Sequence, residues 1–169
     1  MRMGFAAQRS DLFTDPNSSA AEALYWVQNN GNTYTEVQNV GIPPIALTYY
    51  GTRFDTFEYS LGWSYDSRNR ALFADRGSRH RLSASYALPF SDIDFVSFNY
   101  DYLQFIPVSK WFTLMFNSEA GYGQALGDTT SMPPYRRFFA GGPETVRGYR
   151  ESRMGLQDSS GNPYGGNIK

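Results

Sequence analysis

In 169 residues the chain carries no cysteine and a formal net charge of −1. That excludes disulfides, thiolate metal sites and cysteine nucleophiles, and leaves no global field to recruit nucleic acid. One domain's length is 41% hydrophobic and 17% aromatic, with 13 Tyr, 13 Phe, 3 Trp and 16 Gly, so aromatic side chains on many strands do much of the burying.

Met1, Met3 and Phe5 alternate with Arg2, Gly4 and Ala6, as the last part of a strand does, and the residues from Met1 to Phe5 lack the apolar segment of a secretory signal. Residues 10 to about 52 then read as one long polar connection, punctuated by Asp15-Pro16-Asn17, Asn29-Asn30-Gly31-Asn32 and Ile42-Pro43-Pro44. Within it Ser19-Ala20-Ala21-Glu22 has the capping-box pattern, and residues 20–28 are expected to form a short helix stopped by Gly31. Connections of this length in a compact domain are usually functional.

From Thr56 the alternation is regular. Phe57, Tyr59, Leu61, Trp63 and Tyr65 face one way; Glu58, Ser60, Gly62, Ser64 and Asp66 face the other. After turns at Asp66-Ser67-Arg68-Asn69 and Asp75-Arg76-Gly77, the next strand sets His80, Leu82, Ala84, Tyr86 and Leu88 against Arg81, Ser83, Ser85 and Ala87. Pro89-Phe90-Ser91-Asp92 turns the chain into a strand with Val96, Phe98, Tyr100 and Tyr102 opposite Ser97, Asn99 and Asp101. Beyond Pro107-Val108-Ser109-Lys110 the last strand places Phe112, Leu114, Phe116, Ala120 and Tyr122 against Thr113, Asn117, Glu119, Gly121 and Gly123.

The fold class is therefore all-β, an antiparallel meander with one short helix in its long loop. No run reaches the ~18 apolar residues of a transmembrane helix, and the alternation alone fits a soluble sandwich or lipocalin-like barrel as well as a membrane barrel. Strand length favours the membrane: segments of about 10 residues suit a tilted crossing, whereas globular strands average about 5 to 6. Tyr and Trp gather toward the strand ends and Ser, Asn, Asp and Glu fill the opposite faces, as aromatic girdles and a wet lumen require.

Catalytic and metal signals are weak, and no cofactor, metal or nucleic-acid site is expected. The single histidine, His80, sits on an apolar face where a girdle role outweighs that of a base or ligand. Asp101 and Glu119 share the polar face of neighbouring strands, near Arg81, and read as lumen-facing carboxylates before they read as an acid–base pair. Gly121-Tyr122-Gly123 with Gly127 has the wrong spacing for a dinucleotide fingerprint, and no ligand run has EF-hand spacing.

The most constrained stretch comes last. Arg136-Arg137-Phe138-Phe139-Ala140-Gly141-Gly142-Pro143 joins a tight turn to Thr145-Val146-Arg147-Gly148-Tyr149, which holds an arginine between a β-branched residue and a glycine. Phe138 to Gly142 and Thr145 to Tyr149 resemble the sixth-loop motif of the BamA family of outer-membrane barrels. Leu61 to Arg70, Phe73, Gly77-Ser78-Arg79 and Gly121-Tyr122-Gly123 are similar to that family's preceding strands and turns. The resemblance is most specific over about residues 56 to 150.

It implies a 16-stranded barrel in the bacterial outer membrane. The whole of residues 1–169 would be a partial barrel domain, about strands 7 to 11 and loop 6, without the periplasmic repeat domains. It further implies extracellular first and last loops, and unfolded outer-membrane proteins as clients inserted without a nucleotide. Outer-membrane lipid and lipoproteins of an assembly complex would be its partners, and no enzyme activity is implied. Val146, Arg147, Gly148 and Tyr149 would be the functional motif, supported by the turn of Phe139, Ala140, Gly141 and Gly142, with Arg147 paired to acidic residues on later strands. A TamA-like or two-partner secretion barrel, a passive porin and a soluble ligand-binding barrel are the alternatives.

Overall fold

The computed structural model describes residues 1–14, 21–143, 145–157 and 161–169. Its strands are β1 (Arg2–Thr14), β2 (Asn32–Val40), β3 (Ile45–Asp66), β4 (Gly77–Ala87), β5 (Phe95–Pro107) and β6 (Thr113–Ala125). All are antiparallel in one sheet, in the order β1-β3-β4-β5-β6, with β2 paired to the first part of β3.

The register sorts the side chains into two faces. One face stays open and runs in rows across the sheet: Met3, Leu61, Ala84, Phe98 and Tyr122 stand side by side, and so do Trp63, Leu82, Tyr100 and Ala120. At one end of this apolar band the rows turn charged, with Arg9 on Asp55 at 2.6 Å and Arg53 on Asp11 at 2.9 Å. At the other end His80 lies among aromatic rings, 4.9 Å from Tyr102 and 6.0 Å from Tyr65 by ring centroids, with Nδ1 2.9 Å from the Tyr100 hydroxyl. Alternation of period two turned outward, bounded by charge at one end and aromatics at the other, is the pattern of a wall facing hydrocarbon.

The opposite face is covered over part of its length. Helix α1 (Ala21–Asn29) and the segment that follows β6 lie over it, enclosing Trp26, Val27, Phe54, Ala87, Ile93, Phe95 and Met132. Trp26 meets Phe54 edge-on at 5.8 Å. The helix ends where expected. Asn30 donates to the Trp26 carbonyl at 2.9 Å, and Gly31 takes φ +65°, a conformation that costs glycine nothing. The capping-box residues Ser19 and Ala20 and the Asp15-Pro16-Asn17 turn lie outside the described residues.

The long polar connection needs correcting. Instead of irregular chain over residues 10 to 52, β1 continues to Thr14, and β2 forms a hairpin with the first part of β3, from Asn32 opposite Arg53 to Val40 opposite Ile45. Beyond the apolar band β2 meets solvent on both faces, and the open face of β1 and β3 carries Arg9, Asp55, Asp11 and Arg53 instead of apolar side chains, while Thr52 and Phe54 on the other face stay buried. The period-two signal vanishes there, while Thr, Tyr and Val still favour extended backbone.

Candidate functional site

The stretch after β6 is fastened to the covered face before it reaches the motif. Leu126 donates its amide to the Asp94 carbonyl at 2.9 Å, and the Asp94 amide donates to Thr129 Oγ1 at 2.8 Å. Asn30 and Thr130 then join reciprocally, Nδ2 to Oγ1 at 2.7 Å and the Thr130 amide to Oδ1 at 2.8 Å. Trp26 Nε1 donates to the Ser131 carbonyl at 2.9 Å. Two segments about 100 residues apart in sequence are thus tied through Asn30 and Trp26, whose polar groups would otherwise be buried without partners.

Two adjacent arginines come next and point to different partners. Arg136 pairs with Glu58 on β3 and stands over the Phe95 ring, 5.3 Å from its centroid. Arg137 is buried and reaches Glu22 on α1 at 2.7 Å, the Met132 carbonyl at 2.9 Å, Ser131 Oγ at 3.1 Å and the Tyr164 carbonyl at 3.2 Å. Phe138 exchanges backbone hydrogen bonds with Gly166, both at 2.8 Å.

The supporting turn closes on itself. Gly141 and Gly142 have φ of +115° and +96°, and the Thr145 hydroxyl bonds both the amide and the carbonyl of Gly141 at 2.8 Å. Gly142 donates to the Tyr149 carbonyl at 3.2 Å, and Met154 donates to the Ala140 carbonyl at 2.9 Å. Phe139 presses on Gly165, where a Cβ would come within 2.9 Å of the ring. Val146 is half-buried, while Arg147, Gly148 and Tyr149 project outward, and among the described residues Arg147 forms none of the ion pairs. The turn and the motif are therefore together, with the arginine displayed at the tip.

On the covered face, Arg81, Asp101 and Glu119 fall in one row of β4, β5 and β6, and Glu119 pairs with Lys169 at 2.6 Å. The adjacent stretch extends the sheet: Gly121 and Lys169 exchange hydrogen bonds at 2.9 Å, and Gly123 donates to the Asn167 carbonyl at 2.7 Å. Burial and the neighbouring Asp128 push the Asp94 carboxyl above its ordinary value. No group of three metal-ligating side chains occurs among the described residues.

Sequence reasoning missed Glu22, Glu58, Arg136 and Arg137 as working residues. The signal was an adjacent arginine pair just ahead of an aromatic run, beside a polar strand face bearing a glutamate.

Three comparisons bear on this arrangement. Residues 2–169 match the Omp85 superfamily domain. Over 117 residues the chain is 34% identical to the outer membrane protein assembly factor BamA of Neisseria meningitidis serogroup B, covering 67% of this chain and 15% of that protein. The crystal structure of BamA from Haemophilus ducreyi lacking POTRA domains 1-3 is similar in fold, with a TM-score of 0.76 at 19% identity over 98% of this chain and 31% of that one.

Proposed function

This chain belongs to the Omp85 superfamily, whose members are bacterial outer-membrane proteins, and on that footing we propose that it is a stretch of a BamA-like barrel that folds and inserts other outer-membrane proteins. The chain spans 15% of the length of the curated relative, so this activity belongs to the full-length protein. Unfolded outer-membrane polypeptides are its clients. They add to a weakly paired strand edge of the 16-stranded wall, and main-chain hydrogen bonds template their pairing. No nucleotide is consumed: the free energy of strand pairing and of burying apolar side chains in lipid drives insertion. Outer-membrane lipid and lipoproteins bound through periplasmic repeat domains are the remaining partners.

Within that barrel, Val146, Arg147, Gly148 and Tyr149 are the working motif of the terminal loop. Arg147 braces the loop against the lumen wall through charge-assisted hydrogen bonds to carboxylates on later strands. The observation that supports this reading is the seating of Phe138 against Gly121 and Gly123, on the face opposite the apolar band, the side that would line the lumen of a closed barrel. Arg147→Lys in the full-length protein tests it. Lysine keeps the charge and loses the planar fork, so assembly of a reporter barrel and resistance of the protein to heat unfolding should both fall. Unchanged assembly would remove the motif from the mechanism.

A further inference from the structure

Arg137 bonds to three separate stretches of chain at once. Its Nε donates to the Met132 carbonyl and its Nη2 to Ser131 Oγ, both on the arm entering the terminal loop. Nη1 reaches the Tyr164 carbonyl on the arm leaving that loop and Glu22 on α1. We propose that Arg137 is a positioning residue, a clamp that closes the base of the terminal loop and couples it to α1, so that the tip bearing Arg147 is presented in one orientation.

A guanidinium has five donors in a rigid plane, and here four acceptors converge on it while its side chain is 5% exposed. A cation so buried is tolerable only while paired and hydrogen-bonded. Opening either arm, or lifting α1 away, strips partners from a guanidinium whose side chain is 5% exposed. The closed base is thereby favoured over partly open ones. Next to the clamp, the two-way backbone pairing of Phe138 with Gly166 fixes the same point, and the ideal Cβ of Gly165 would lie 2.9 Å from the Arg137 Cβ, so the two arms meet without a gap. Past this base the tip projects outward, and Cβ atoms at Gly148 and Gly155 would meet nothing within 4 Å. A long loop with a free tip gains its order from how tightly its ends are joined.

The functional consequence rests on the reading that the Arg147 loop acts against the lumen wall; the clamp itself does not. Hydrogen exchange of the full-length protein in lipid vesicles separates the two. Arg137→Ala and Glu22→Gln should each speed exchange of the Phe138 and Gly166 amides by about tenfold or more, the loss expected when a hydrogen bond to a charged group is removed. Amides of β4 and β5 should stay protected, and Glu22→Asp should restore protection at the loop base. Unchanged protection at Phe138 and Gly166 in both variants would overturn the clamp, as would equal behaviour of Glu22→Asp and Glu22→Gln, since charge would then play no part. Should Arg147→Lys leave assembly intact while Glu22→Gln still loosens the base, the clamp stands and the loop's role in assembly falls.

Discussion

Phe138 occupies the space that a side chain at Gly121 would need: a Cβ built there falls 2.6 Å from the ring Cε1 and 2.9 Å from Cδ1. Because Gly121 lies on β6 and Phe138 opens the terminal loop, wall and loop share one contact. Gly121→Ala must push the ring off its seat, and overpacking of this kind costs about 1–3 kcal/mol. Denaturant unfolding in detergent micelles should show that loss. In Phe138→Ala the clash is gone, so adding Gly121→Ala to it should cost markedly less, a non-additivity that marks direct contact.

Arg136 and Glu58 form a further link between the loop and the wall, from the end of a short 3₁₀ turn (Pro134–Arg136) to β3. The carboxylate side chain is 14% exposed and the guanidinium 34%, so the pair is partly desolvated and worth more than a surface bridge. Removing one partner strands the other. Glu58→Ala should destabilise by about 1–3 kcal/mol, below the range for fully buried pairs. Glu58→Ala, Arg136→Ala and the double variant, unfolded in parallel, should yield a coupling energy of the same sign.

Asp94 gives the chain a pH dependence opposite to that of an ion-paired carboxylate. It lies between β4 and β5, and both burial and Asp128 raise its pKa above the ordinary 3.8. The folded state therefore holds the proton more tightly than the unfolded one between those two values. Stability contributed by this group is present below the unfolded value and is lost as pH rises through the raised folded value. Asp94→Asn should flatten the slope above about pH 4 and raise stability at neutral pH. Unfolding midpoints measured in both proteins from acid to neutral pH would expose the difference. A parallel pair of curves would mean that Asp94 ionises freely.

How far the sequence discloses this structure depends on what each face meets. Phe57 through Tyr65 and Val96 through Tyr102 are readable because one face sees apolar surroundings and the other does not, so chemistry alternates with the backbone. β2 is hidden for the same reason, since Thr33, Glu36 and Gln38 all meet water. The turn from Gly141 to Thr145 is legible from its glycines, which the positive φ values require. What stays hidden is the pairing of Arg137 with Glu22, because an ion pair leaves no periodic trace and its register depends on the path of a loop far along the chain.

Trp26 decides whether α1 exists as a lid at all. A helix of nine residues is too short to persist alone, so its order comes from what it covers. Trp26 is fully buried, meets Phe54 edge-on and donates to the Ser131 carbonyl. Trp26→Ala leaves a cavity and an unpaired carbonyl, a loss of about 3–5 kcal/mol, with the helix released into the bargain. Trp26→Phe keeps most of the apolar volume and removes the donor, so it should cost only about 1 kcal/mol. Limited proteolysis from the loop side should cut Trp26→Ala within residues 21–29 while sparing Trp26→Phe and the strands. Equal resistance in both variants would mean that α1 is held by the Asn30–Thr130 hydrogen bonds and the Glu22–Arg137 pair and not by the buried indole.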